Sequence, residues 1–227
     1  MAHTPAPLKL VAVTAGLGRP SSTRLLTDRL TEATRRHLGA TTDPGTPLAA
    51  TPLAEVGAVG PRAVELRVVE LRDLAVDIAH HLVTGFPPPA LREALDAVTE
   101  ADGVIAVSPV FTASYSGLFK SFVDLIDPDA LTGTPVLIAA TGGTARHSLV
   151  LEHAMRPLFS YLRAVVVPTA VFAATEDWGG TEGPAARVDR AAGELAALMT
   201  GRAALRLPGQ QPEVVPFAEQ LAALRTG

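Results

Sequence analysis

Three short stretches are rich in residues that hold a ligand rather than attack one. They are Gly16-Leu17-Gly18-Arg19-Pro20-Ser21-Ser22-Thr23, the run Ser108-Pro109-Val110-Phe111 through Tyr115-Ser116-Gly117, and Thr141-Gly142-Gly143-Thr144. Glycine lets the backbone approach a ligand closely, and Ser and Thr are N-cap residue types that open helices. A helix opening presents free N–H groups and the positive end of its dipole, which together make an anion site. Arg19 adds a forked, charge-assisted donor suited to phosphate. The first stretch matches neither GxGxxG nor GxxxxGK[ST], which argues against a dinucleotide fold or a nucleoside triphosphatase. No Ser-His-Asp or comparable set of nucleophile and base stands out.

Each stretch must be positioned by the elements on either side. Leu8–Ala15 (LKLVAVTA) is an apolar, β-branched strand, and a helix from about Arg24 to His37 follows with Leu25, Leu26, Leu30 and Ala33 at helical spacing. Asp102-Gly103 is a turn signal. Val104–Val107 then reads as a strand buried on both faces, ended by Pro109, which cannot donate to a sheet ladder. From Ser116 the period becomes helical, with Leu118, Phe119, Phe122, Val123, Leu125 and Ile126 apolar, until Asp127-Pro128. Thr134–Ala140 is another buried strand, and a helix from about Arg146 to Leu162 follows the third stretch. All three stretches are therefore loops at the carboxyl ends of strands.

The remaining chain completes an alternation. Val64–Leu71 is a second strand, 72–89 a loop containing His80-His81 and Pro87-Pro88-Pro89, and Pro89–Ala101 a helix. Val165–Phe172 is a fifth strand interrupted by Pro168. A loop with Trp178 spans Thr175–Gly183, and a last helix runs from Pro184 to Met199. Residues 39–63, rich in Ala, Thr, Pro and Gly, read as a flexible insertion. Residues 1–200 then form one domain, with 201–227 a C-terminal extension that holds a possible short helix from Pro216 to Leu224. Strands alternating with helices imply an α/β three-layer sandwich with a five-stranded parallel sheet and right-handed crossovers. In the order 2-1-3-4-5 the three loops meet in one crevice, where such sheets bind ligands.

Composition narrows the function classes. The 227 residues include no cysteine, which removes thiol nucleophiles, disulfides and cysteine-ligated metals. A net charge of −4 without a basic stripe argues against nucleic acid, and no apolar run is long enough to span a membrane. His80 and His81 are neighbours whose side chains diverge, so no metal site is expected. Without a signal-peptide pattern, a cytoplasmic location is expected.

Ala15–Thr23, Ser108–Phe111 with Tyr115-Ser116-Gly117 and Lys120, and Ala140–Thr144 resemble the phosphate loop, the TPVY…YSG…K segment and the ATGG loop of the NAD(P)H-dependent FMN reductases, which have a flavodoxin-like fold. The similarity runs from about Leu8 to Trp178. It is narrower toward the reductase components of two-component flavin monooxygenases such as the alkanesulfonate systems. The resemblance implies FMN and NAD(P)H as cofactors, hydride transfer to flavin N5, and delivery of reduced FMN to a partner monooxygenase. It implies that Arg19, Ser21, Ser22 and Thr23 hold the phosphate, and that Pro109, Val110 and Phe111 line the isoalloxazine edge. It further implies that Thr141, Gly142 and Gly143 approach the pyrimidine end, and that the helix after Gly117 packs in a homodimer or homotetramer. Leu17 stands where the family often has Ser, so Arg19 or Ser21 must compensate. His153 falls where some members carry an inserted aromatic or His that bulges the helix, a feature associated with releasing flavin as product. Two alternatives share these loops: a quinone or azo reductase with tightly held FMN, and a flavodoxin-like electron carrier without nicotinamide turnover.

Overall fold

A computed structural model of the chain describes residues 6–40, 63–178 and 184–205. The expected insertion lies almost wholly outside these residues, as do the short helix expected near the C-terminus and the end of the Trp178 loop. Among the described residues the strands are β1 (Leu8–Thr14), β2 (Val64–Glu70), β3 (Gly103–Phe111), β4 (Ser114–Tyr115), β5 (Pro135–Gly142), β6 (Val165–Val166) and β7 (Val171–Ala174). The helices are α1 (Ser22–Ala40), α2 (Ala75–Thr84), α3 (Pro89–Thr99), α4 (Gly117–Val123), α5 (Arg156–Tyr161) and α6 (Ala185–Leu205).

The sheet runs β2-β1-β3-β5-β6, with β7 pairing β5 beyond β6 and β4 pairing β3. All pairings are parallel except β3 with β4. The expected order 2-1-3-4-5 of a flavodoxin-like sheet is therefore present, its fifth strand split around Pro168 into β6 and β7. Alternate side chains feed two cores. Val11, Val13, Val104, Ala106, Val136 and Ile138 face a layer containing Leu91 of α3 and Phe119 of α4. Leu10, Ala12, Ile105, Val107, Leu137 and Ala139 face Leu26 and Leu30 of α1 and Leu195 of α6. The ladder begins at a fixed point. Lys9 N–H donates to the Asp102 carboxylate (2.9 Å) and Asp102 N–H donates to the Lys9 carbonyl (2.9 Å).

Three elements differ from the sequence expectation. Pro109 does not end β3, which continues to Phe111 and turns back through Thr112-Ala113 into β4. The Val107 carbonyl accepts from Ala15 N–H, so Pro109, two residues on, presents its missing donor to the same side, where β1 has already stopped. Residues 72–89 are not a loop: a 3₁₀ turn (Leu71–Leu74) leads into α2, which carries His80 and His81. Only Leu71 and Ile78 are buried there, while Val76, Leu82, Val83 and Phe86 are exposed, so the apolar period is blurred. The helix expected from Arg146 to Leu162 is divided into a 3₁₀ turn (Ala145–His147), a π turn (Leu151–Met155) and α5.

Phe119 is fully buried beneath the site, its ring 5.9 Å from Tyr115 and 6.3 Å from Phe159. It joins the hairpin, α4 and α5 in one aromatic chain. Replacing it by Ala removes a large buried side chain from close-packed surroundings and is expected to cost about 3–5 kcal/mol. Urea unfolding of Phe119→Ala against wild type measures this.

Candidate active site

The first loop is built around Gly16. A Cβ there would lie 2.1 Å from Ser21 Oγ, so no larger residue lets the loop fold back on itself. Ser21 is the N-cap of α1: its Oγ accepts from Arg24 N–H (3.2 Å), and its carbonyl accepts from Leu25 N–H (3.0 Å). Ser22 is exposed. Thr23 is buried, and its Oγ1 lies 2.8 Å from Thr141 Oγ1. That bond joins the opening of α1 to the end of β5 and brings the first and third loops together over β3. Arg19 is largely exposed and lies 3.6 Å from the Asp73 carboxylate.

The second loop is the β3–β4 hairpin and its descent into α4. Ser108, with no exposed surface, accepts Ser116 N–H on its Oγ (2.9 Å) and donates to the Pro109 carbonyl (3.0 Å). Ser116 in turn caps α4 by accepting Phe119 N–H (3.1 Å). Pro109 is buried, Val110 half-buried and Phe111 exposed at the hairpin tip. Thr112 and Ala113 both take positive φ, 49° and 66°.

The third loop continues β5. Thr141 is committed to Thr23, and a Cβ on Gly142 would come 2.9 Å from the Phe172 ring of β7. Gly143 has open space where a Cβ would point. Two hydroxyls near these loop ends lack hydrogen-bond partners among the described residues although their oxygens are buried: Thr14 Oγ1, where β1 ends, and Thr144 Oγ1. Backbone donors at the opening of α1, orphaned hydroxyls and an open glycine face fit a ligand with a phosphate at one end and a polar ring at the other.

Some participants carry little sequence signal. Arg72 donates through Nη1 to the Gly18 carbonyl (2.9 Å) and is paired with Glu70, which also pairs with Arg24. Arg24 donates to Asp28 as well (2.8 Å), and its guanidinium pKa is raised first by that bond. These charges hold the Gly16–Thr23 loop from the β2 side. The position of Arg72, just beyond the carboxyl end of a strand next to β1, was the available clue. His80 and His81 lie in α2, and no cluster able to hold a metal occurs among the described residues.

His153 lies in the middle of the π turn, in which Arg156 N–H donates to the Leu151 carbonyl five residues back. The sequence could not establish a bulge here, because one chain does not reveal an insertion. Glu152 in this turn receives Arg156 Nε (2.6 Å) and Nη2 (3.0 Å).

Comparison with known proteins agrees with this geometry. Residues 8–179 match the family described as NADPH-dependent FMN reductase. The chain therefore belongs to that family of flavin-reducing oxidoreductases. It is 39% identical to an FMN reductase (NADPH) of Pseudomonas aeruginosa, over 88% of this chain and 96% of that one. It is 37% identical to the NADH-dependent FMN reductase SfnF of Pseudomonas fluorescens, over 86% and 93%. The crystal structure of an oxidoreductase from Corynebacterium diphtheriae is similar at 45% identity and a TM-score of 0.75, covering 87% of this chain and 99% of that one.

Two outcomes are expected. Ser108→Ala orphans the buried Ser116 N–H and loosens the hairpin, costing about 1–3 kcal/mol in chemical denaturation. The Glu152 carboxyl is held below its usual range, first by its hydrogen bond from Arg156, with Arg187 and His153 adding. A depressed carboxyl stabilises the fold above its unfolded value, and that contribution disappears as pH falls through the folded value. The thermal midpoint of wild type should therefore fall more steeply below about pH 4 than that of Glu152→Gln.

Proposed function

We propose that this FMN reductase takes FMN as a substrate, transfers hydride to it from NAD(P)H, and releases reduced FMN for a partner monooxygenase. The observation that carries the reading is that three donor-rich loops leave the same edge of the sheet, the first and third locked together by the Thr23–Thr141 bond. FMN, when bound, supplies the N5 centre that accepts hydride, so the chain has only to bind and orient. Arg19, Ser21 and Ser22 would hold the phosphate together with the N–H groups opening α1. Thr23 would contribute its N–H, since its hydroxyl is engaged with Thr141. Pro109, Val110 and Phe111 would line the ring edge. Gly142 and Gly143 would admit the pyrimidine end, with Thr141 fixing their approach.

Release as product is supported by the π turn at His153, the position at which the sequence resembles members with a bulged helix. Exposed Leu149 and Tyr161 flank that turn and favour a homodimer or homotetramer built on this face. The relatives named as NADPH- and NADH-dependent FMN reductases support a reduced nicotinamide as the hydride donor. No described helix is long and apolar enough to cross a membrane.

The test is NAD(P)H oxidation with FMN titrated from none to excess, after recording the visible spectrum of the isolated protein. A colourless protein whose rate saturates with FMN is expected. A yellow protein that reduces quinones at a rate indifferent to added FMN would replace this reading with that of a bound-flavin reductase.

A further inference from the structure

We infer that Arg156 is a positioning residue for the glycine loop Thr141–Thr144, acting by bracing the π turn that follows it; the inference rests on the reading of that loop as part of the flavin site. The guanidinium uses four donor contacts. Nε and Nη2 grip the Glu152 carboxylate (2.6 and 3.0 Å), Nη1 donates to the Val167 carbonyl (3.0 Å), and Nη2 also donates to the Pro168 carbonyl (3.1 Å). Those carbonyls lie in the break between β6 and β7. The Val167 carbonyl is partly buried and needs a donor, whereas that of Pro168 is exposed. One side chain thus satisfies the sheet break and clamps the second residue of the π turn.

The backbone of Arg156 marks the place where the helix changes register. Its N–H reaches back to the Leu151 carbonyl, whereas His153 N–H still reaches Leu149 in the ordinary α pattern (3.0 Å). On the far side, α5 is fixed by buried Phe159 and by the Arg156 contacts. On the near side, β5 is fixed in the sheet as far as Gly142. A π turn that relaxed to α would shift the intervening chain by one residue, about 1.5 Å and 100° of rotation. With both ends anchored, the segment from Gly143 to Val150 must absorb that shift. This segment includes Gly143, with its open face, and the unpaired Thr144 hydroxyl.

Neighbouring charges do not duplicate the brace. Arg187 donates to the Ala170 carbonyl (2.7 Å), and Glu194 accepts Thr169 N–H and Oγ1–H (2.8 and 2.7 Å). Both secure the same β6–β7 link, and neither hydrogen-bonds the π turn. Arg187→Met is therefore the control that weakens the link while leaving the turn clamped.

FMN binding is measured by quenching of flavin fluorescence, alongside KM and kcat for FMN. Arg156→Met is expected to raise Kd and KM for FMN about tenfold while kcat changes less than about twofold. Arg156→Lys keeps the charge without the fork and should share the defect. Arg187→Met should stay within about twofold of wild type. If Arg156→Met does not fold, Glu152→Gln decides, with an expected rise of about threefold in Kd. The inference is overturned if folded Arg156→Met, or Glu152→Gln in its place, binds FMN like wild type, even with a lowered melting point. Equal shifts in Arg156→Met and Arg187→Met overturn it too, because they would reflect general loosening. A wild type that leaves flavin emission unchanged removes the flavin reading itself, whereas normal wild-type binding beside an unaffected Arg156 variant removes only the brace.

Discussion

The site depends on one buried hydrogen bond between two threonine hydroxyls. β1 and β5 are not neighbours, because β3 lies between them, so sheet pairing alone does not set the distance between their loops. Thr23 Oγ1 and Thr141 Oγ1 set it, 2.8 Å apart and almost without exposed surface. A neutral pair is well suited to the place. It satisfies two polar atoms in a dry environment without the desolvation cost of an ion pair. The charged residues stay at a remove: Arg24, Glu70 and Arg72 grip the Gly16–Thr23 loop from the β2 side and meet its backbone at the Gly18 carbonyl. The loop is held by charge at its margin and by neutral bonds beneath.

The sheet was legible because its signal is coarse. Short β-branched runs bounded by Gly and Pro mark strands buried on both faces, and β1, β3 and β5 each have that form. The three loops were legible for the same reason, since each breaks an apolar run with small and hydroxylated residues. Helix α2 was not, because a helix that buries little beyond Ile78 leaves no periodic stripe to read. The end of β3 was misread through Pro109, whose meaning depends on which side its nitrogen faces, a fact set by the length of β1. The partner of the Thr23 hydroxyl was not legible for a similar reason, because it lies 118 residues away. Residue type announces that a group is polar; only the fold says whether it is already spoken for. The π turn is a matter of hydrogen-bond register, to which composition is blind.

The hairpin carrying Phe111 has a consequence for how the site assembles. Two-residue hairpin turns form readily by themselves when Asn-Gly or a similar pair supplies positive φ at low cost. Here Thr112 and Ala113 take that conformation, which L-residues with a Cβ adopt at a cost of about 1–2 kcal/mol each. The turn therefore cannot nucleate its own strands. What secures it is partly local, Ser108 reaching Ser116 and Tyr115 packed on Phe119, and partly long-range, Phe119 meeting Phe159 of α5. The last of these contacts forms only after the chain between α4 and α5 has been closed. The aromatic backing of the hairpin is thus complete only once α5 has docked on α4, which requires β5, the strand between them in sequence, to have been made.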